Sequence, residues 1–388
     1  MDFRFTEEQE RFRQEIGEFL REALPDRSSL GPEWGAGFSR EFSRKLGQKG
    51  WIGLTWPREY GGEGRSYLDR LILVEELFRY GAPCHAHRFG ERQIGPALLK
   101  YGSEEQKRRF LRLITKADAV FCVGMSEPDA GSDLASVKTT ALAAGDGFVI
   151  NGQKVWTTAA HLADYCYLVA RTNPGAPRHE GLSEFIIDLR WPGVQIVPLF
   201  AHTGEHYFNQ VVLDGVFVPA ECLVGLRDRG WYQIARQLDH ERGGIEQLLD
   251  DYPLYEALLA LARDSGLGRE PLVRTKLAEL AVEYEVGRLL CYRVAWLLTQ
   301  GAIPNYQAAM AKLFGSEVEQ HVALFATEIL GLYSQLLPGS HAALLGGHAA
   351  RSYLWSQTYT VGAGTSEILR MLIAVRGLGL PPAGRSGT

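Results

Sequence analysis

The chain has 388 residues, of which 46% are hydrophobic and 22% charged, with a formal net charge of −5. That balance suits a globular protein of two or three domains with a sizeable core. It excludes a basic nucleic-acid binder, which would carry an alkaline patch.

No stretch reaches the ~18 apolar residues of a membrane helix, and the most apolar one, Leu289–Leu298, is interrupted by Arg293. The segment Met1-Asp-Phe-Arg-Phe-Thr-Glu-Glu is charged from the start and has no signal-peptide apolar run, so the expected location is the cytoplasm. The five cysteines (Cys84, Cys122, Cys166, Cys222 and Cys291) are odd in number, far apart and never in a CxxC pair. They read as buried, reduced thiols, not as a disulfide frame or a zinc site.

From Phe5 to about Ala117 the pattern is helical. Thr6-Glu7-Glu8-Gln9 has the form of a capping box, and Phe12, Ile16, Phe19 and Leu20 follow near a 3.6-residue period. Leu68–Tyr80 and Glu104–Ile114 predict further helices. At about Val120 the texture changes. Asn151-Gly152, flanked by strand-like residues, predicts a hairpin turn. Tyr165–Ala170, Glu184–Leu189, Val194–Leu199 and Asn209–Val218 are short β-type runs that suggest a small barrel or sandwich. From about Trp231 the pattern is helical again. Leu272–Thr299 reads as one long amphipathic helix, and Pro304 suits the first turn of another that runs to about Leu330. Gly362-Ala363-Gly364 breaks the chain, and Thr365 or Ser366 caps a last helix through Arg376. The expected organisation is α+β and multidomain: helices over 1–118, a β-barrel or sandwich over 119–226, and a helical bundle over 227–388.

Two segments carry chemistry. Met125-Ser-Glu-Pro-Asp-Ala-Gly-Ser-Asp-Leu134 is a loop in which Gly131 permits close backbone approach, Ser132 offers a hydroxyl and consecutive N–H groups form an anion nest. A polar turn at a domain boundary is the plainer reading. In Lys154-Val-Trp-Thr-Thr158, a strand would turn Trp156 and Thr158 to one face, an indole and a hydroxyl suited to a flat heteroaromatic ring. A lone Trp packed into a core is the commoner alternative.

Together with Tyr359-Thr-Val-Gly-Ala-Gly-Thr-Ser-Glu367, these segments resemble the acyl-CoA dehydrogenase family, in its order and spacing over nearly the whole chain. The resemblance implies a helical domain, a β-domain and a C-terminal four-helix bundle. It also implies non-covalently bound FAD, a tetramer (of one chain, or paired with a related subunit) and electron-transfer flavoprotein as acceptor. Met125 and Ser126 match positions at the flavin pyrimidine edge, and Ser132 the hydroxyl at the FAD pyrophosphate. Trp156 and Thr158 match the pair that covers the isoalloxazine ring near N5. Thr365 and Glu367 match contacts at the far end of the cofactor. Arg263, in Ala262-Arg-Asp-Ser-Gly-Leu-Gly-Arg-Glu-Pro271, stands near the place of an arginine that reaches FAD across the dimer in many members; the spacing differs and the usual aromatic is missing.

The reaction needs a base, because a thioester α-proton is weakly acidic; a carboxylate desolvated by substrate meets that need. Ala363 stands where many members have that glutamate. In the branch typified by isovaleryl-CoA dehydrogenase, the base comes instead from a Leu-Asp-x-Glu-Arg pattern, here Leu238-Asp-His-Glu-Arg242. The resemblance thus assigns the base to Glu241, an orienting charge to Arg242 and a main-chain donor to Ala363. A solvated charge run is the plainer reading of residues 239–242. Gly362 and Ala363 replace bulkier side chains, which leaves room for a branched or cyclic acyl group. The implied reaction converts an acyl-CoA to the trans-2-enoyl-CoA. Rival readings are an oxidase or monooxygenase of the same fold, or a non-catalytic subunit of a heteromer. His202-Thr-Gly-Glu-His206 spells a zinc-protease pattern, but that pattern requires a helix and this one holds Gly204 among predicted strands, so no metal is expected.

Overall fold

The structure, a computed structural model, describes residues 4–24, 37–234 and 244–382. Along the chain the order is helical, then β, then helical, with helix predominating. The chain forms two compact units, each built from separated segments. One takes Phe38–Gly64 and His85–Leu238; the other takes Met1–Gly37, Arg65–Cys84 and Asp239–Thr388.

The first unit is built round one mixed sheet. Its strands are β1 (Phe121–Gly124), β2 (Thr140–Ala144), β3 (Gly147–Lys154), β4 (Tyr165–Arg171), β5 (Leu182–Asp188), β6 (Val194–Phe200), β7 (His206–Pro219) and β8 (Leu223–Val224). The hydrogen-bonded path runs β6-β7-β3-β2-β4-β5-β8, with β1 parallel to β4. It does not close, so the expected barrel or sandwich resolves into an open sheet. β4 explains its unbroken apolar run: Cys166 and Leu168 enter one cluster with Ile150, Phe185 and Val216, while Val169 enters another with Leu134, Val137 and Ile234. A strand buried on both faces has no polar side to alternate. Pro198 sits on β6, at the end of the path, where a missing N–H costs no ladder bond.

The Asn151-Gly152 expectation needs correcting. The turn between β2 and β3 is Gly145-Asp146, flanked by the Ala144–Gly147 pair, with Gly145 at φ 58°. Asn151 and Gly152 lie within β3 at a register shift opposite β7. A Cβ on Gly152 would stand 2.4 Å from Thr139 Oγ1, and the Asn151 side chain accepts from Gly215 N–H at 2.8 Å. Glycine here makes a bulge against a strand some sixty residues away, which no local pattern distinguishes from a turn.

In the second unit, helix Glu7–Ala23 opens with the expected capping box: Thr6 and Gln9 exchange side-chain and backbone bonds at 3.0 and 3.2 Å. Long helices Pro271–Thr299 and Asn305–Leu330 pair with one another, and His348–Tyr359 and Ser366–Leu372 pack on the second of them. Helix Tyr67–Arg79 belongs here too. Its buried Glu75 accepts from Arg288 Nε at 2.6 Å, from the Tyr292 hydroxyl at 2.7 Å and from Arg13 at 3.3 Å. Among the described residues, no helix is long and apolar enough to cross a membrane.

Candidate functional site

The loop that leaves β1 is held by charge. Glu127 and Ala130 exchange both backbone bonds, at 2.9 and 3.0 Å, which pinches Pro128-Asp129 into a tight turn. The Glu127 carboxylate accepts from the backbone N–H of Lys138 (2.6 Å) and Thr139 (2.9 Å) and from Lys154 Nζ (2.8 Å). Lys154 also donates to Met125 O at 3.1 Å. Burial alone would raise the Glu127 carboxyl, but the Lys154 charge and these donors outweigh it and hold it below the usual range. Burial lowers Lys154, and Glu127 opposes that. Met125 and Ser126 are thus fixed just before the turn. Beyond it Gly131 and Ser132 are exposed, with open space at Gly131.

Trp156 is not on a strand. β3 ends at Lys154 and the chain bends, so that Trp156 adopts φ 59° and its side chain is 60% exposed. The bend is stitched on both sides: Val155 N–H donates to Ser126 O, Thr157 N–H to Asn209 O and Ala159 N–H to Tyr207 O, each at 2.9 Å. Phe208 meets the indole edge-on, with ring centroids 5.8 Å apart. Thr158 is half-buried beside it, and Thr157 Oγ1 is buried with no partner. The expected pairing of Trp156 and Thr158 therefore rests on a strained turn, not on strand alternation.

In the other unit, helix His348–Tyr359 ends in the turn 360–364, and Thr365 caps helix Ser366–Leu372 by accepting from Ile368 N–H at 3.2 Å. Ala363 has φ 54°, a left-handed conformation that costs an alanine ~1–2 kcal/mol. Buried Lys312 closes the turn: its Nζ donates to Tyr359 O at 2.6 Å and Gly364 O at 2.9 Å. Glu367 is exposed, and the backbone and Thr365 bonds hold its carboxyl below the usual range.

The structure brings Met125, Ser126, Trp156 and Thr158 together in one unit, and Gly362, Ala363, Thr365 and Glu367 in the other. Arg263 is exposed near the end of helix Tyr252–Ser265 and pairs with Asp264 at 2.9 Å. Glu241 and Arg242 lie outside the described residues. His202–His206 is not helical: Gly204 has φ 84° and His206 begins β7. Sequence reasoning passed over Glu127 and Lys154 as site-builders, although both stand inside its motifs. It missed Lys312 and Asn209 altogether. A lysine on the apolar face of a long helix was the signal available for the first.

Three family models cover most of the chain: the acyl-CoA dehydrogenase N-terminal domain over residues 6–118, its middle domain over 122–216 and its C-terminal domain over 228–378. The chain belongs to the acyl-CoA dehydrogenase family, flavoprotein oxidoreductases that act on CH–CH bonds. Among its relatives is acyl-CoA dehydrogenase FadE26 of Mycobacterium tuberculosis, 35% identical over 409 residues, with 99% of this chain and 100% of the relative covered. Among solved structures, the Tcur3481-Tcur3483 steroid ACAD superposes with TM-score 0.90 at 36% identity, covering 99% of this chain and 100% of the other. The ChsE4-ChsE5 complex from Mycobacterium tuberculosis gives 0.87 at 34%, again with 99% and 100% covered.

The residues fit the family's flavin. A large exposed indole on a fixed turn offers a stacking face. Ser126, whose backbone oxygen is tied to the bend at Val155, and half-buried Thr158 carry hydroxyls, and the exposed Gly131-Ser132 segment offers close backbone approach and a hydroxyl to a phosphate.

Proposed function

We propose that this chain oxidises the Cα–Cβ bond of a branched, cyclic or steroid-derived acyl-CoA to the trans-2-enoyl-CoA, with FAD as cofactor and Glu241 as the base. The observation that carries the reading is the Trp156 turn: an exposed indole at positive φ, tied to Ser126 on one side and to β7 on the other. Trp156 and Thr158 would hold the ring face of the cofactor, Met125 and Ser126 its pyrimidine edge, and Ser132 its pyrophosphate. Thr365, Glu367 and Arg263 would serve its far end. Bound there, the flavin supplies the two-electron acceptor.

Glu241 takes the α-proton, and Arg242 orients its carboxylate. Ala363, which carries no base of its own, leaves with Gly362 a turn of minimal side-chain volume. The steroid ACAD named above supports a bulky acyl group. The ChsE4-ChsE5 complex named above supports assembly with a second, different chain as an alternative to the proposed homotetramer, and electron-transfer flavoprotein is the proposed acceptor.

The test is Glu241→Gln under anaerobic conditions. Substrate bleaching of the flavin should nearly vanish while the resting spectrum is unchanged; bleaching at close to the parent rate would refute Glu241 as the base. A panel of straight-chain, branched and steroid-derived thioesters with an artificial electron acceptor identifies the acyl class.

A further inference from the structure

The turn that presents Trp156 rests on a cluster that the proposed mechanism does not use. His161, in the short turn Ala160–Leu162, and His206, at the start of β7, stack with ring centroids 3.8 Å apart and planes within 18°. Both reach one atom. His161 Nδ1 lies 3.2 Å and His206 Nε2 lies 2.8 Å from the side-chain oxygen of Asn209, which is fully buried on β7. On its other side, Asn209 Nδ2 donates to Thr157 O at 3.0 Å, and the Asn209 backbone oxygen accepts from Thr157 N–H at 2.9 Å.

The network fixes its own orientations. The Thr157 carbonyl can only accept, so the carboxamide nitrogen of Asn209 must face it and the oxygen must face the histidines. Each imidazole then donates a proton, His161 from Nδ1 and His206 from Nε2. One carboxamide is held by two stacked donors and bonds the carbonyl of Thr157, the residue between Trp156 and Thr158, while the Asn209 backbone oxygen takes the Thr157 N–H.

We infer that Asn209, held by the His161–His206 stack, is a positioning residue that sets the height and tilt of the Trp156–Thr158 turn, and so of the face on which the flavin would lie. The inference rests on the proposed flavin site. The grip itself is a property of the protein alone. Trp156 holds a left-handed conformation that a tryptophan does not favour, and strain of this kind persists only where the surroundings over-determine it. The paired Thr157 bonds to Asn209 are such a determinant. The stack stiffens the side-chain bond of the pair, because a carboxamide with a fully engaged oxygen cannot rotate without breaking two bonds at once.

The experiment compares Asn209→Asp, His161→Ala and His161→Gln with the parent. Asn209→Asp keeps shape and acceptor but turns an oxygen toward the Thr157 carbonyl, which breaks the side-chain half of the grip and leaves the backbone bond in place. His161 lies at the surface, so its variants leave the fold intact. Glutamine keeps an N–H donor that alanine lacks and should rescue part of the alanine effect.

Two readouts are taken. The first, made on flavin-free protein, is the emission of Trp156, obtained as the difference from Trp156→Phe. The second is the rate of flavin bleaching by substrate in loaded enzyme, below the unfolding temperature. Asn209→Asp and His161→Ala should shift the Trp156 emission maximum and slow bleaching by at least about tenfold, as expected when a reacting face is misplaced by an ångström or less, with KM little changed. Unshifted emission together with a bleaching rate within about twofold of the parent overturns the inference. If the parent takes up no FAD, the proposed function fails instead, and the emission shift alone then decides whether Asn209 sets the turn: a shift supports the grip and its absence overturns it.

Discussion

The Lys154 ammonium lies 2.8 Å from the Glu127 carboxylate, and both side chains are shut away from solvent, at 0% and 6% exposure. One joins the end of β3, the other the loop that carries Met125 and Ser126. A buried pair of this kind contributes little beyond what an apolar pair would, but losing one partner strands the other charge, at a cost of ~3–5 kcal/mol. Lys154→Met should therefore destabilise the unit that holds the sheet by about that amount, read by urea unfolding, and should weaken FAD retention on dilution. Unfolding at the parent midpoint with flavin fully retained would show that the pair is dispensable.

The same carboxyl sets an acid limit. Glu127 is held below the usual carboxylate range, so its contribution is complete above that range and is lost as pH falls through the depressed value. Glu127→Gln has no such group. Its unfolding free energy, measured from neutral pH down to about pH 3, should fall less steeply than that of the parent. Parallel curves would contradict the assignment.

Asp251 and Glu319 carry the opposite sign. The Asp251 N–H donates to Glu319 Oε2 at 2.6 Å, and Ser352 donates to Asp251 Oδ1 at 2.8 Å. Asp251 Oδ2 and Glu319 Oε1 are buried, and the two carboxyl groups interact. Burial pushes the Asp251 carboxyl up to about 6, against the opposing Ser352 bond, Arg351 charge and Glu319 side-chain bond. Burial and the two neighbouring aspartates, Asp251 and Asp250, push Glu319 well up. A folded-state value above the unfolded one means stability that is whole below the ordinary range and is lost as pH rises through about 6. A displacement of about two pH units corresponds to roughly 3 kcal/mol. Asp251→Asn, which puts a donor where Oδ2 stood, should be more stable than the parent at pH 8, with a flatter profile from about pH 4 to 8. Equal stability at both ends of that interval would defeat the argument.

Local physics made some features readable and left others hidden. The Thr6–Gln9 capping box and the spans of the two long helices were legible because their signals act over three or four residues. The role of Gly152 was not, because its meaning depends on the partner strand β7. Nor was the membership of helix Tyr67–Arg79, which Glu75 settles by bonding Arg288 more than two hundred residues away. The site divides in the same way. Ser126, Trp156 and Thr158 announce chemistry by type and spacing. Lys312 and Asn209 are single polar residues that bond the backbone of the two turns, and the fold brings those backbone atoms to them.

Ala363 holds its left-handed conformation under the Lys312 clip. Glycine adopts that conformation without penalty, so Ala363→Gly should stabilise the unit that holds the long helices by about 1 kcal/mol, less the gain in unfolded-chain freedom. Differential scanning calorimetry measures it. A drop in the midpoint would mean that the alanine methyl makes contacts worth more than its strain.

Gly362 tests the acyl-group reading most directly. It is exposed, and a Cβ built on it meets one neighbour, Thr358 O at 3.3 Å, so a side chain fits with a small adjustment. Gly362→Leu should fold, retain its flavin and refill the volume that the small residues leave open. If bulk is what this turn admits, kcat/KM for branched or steroid-derived thioesters should fall by at least about tenfold, or roughly 1.4 kcal/mol, while straight-chain substrates lose far less. An equal loss for both classes would place the added side chain away from the acyl group and remove Gly362 from substrate selection.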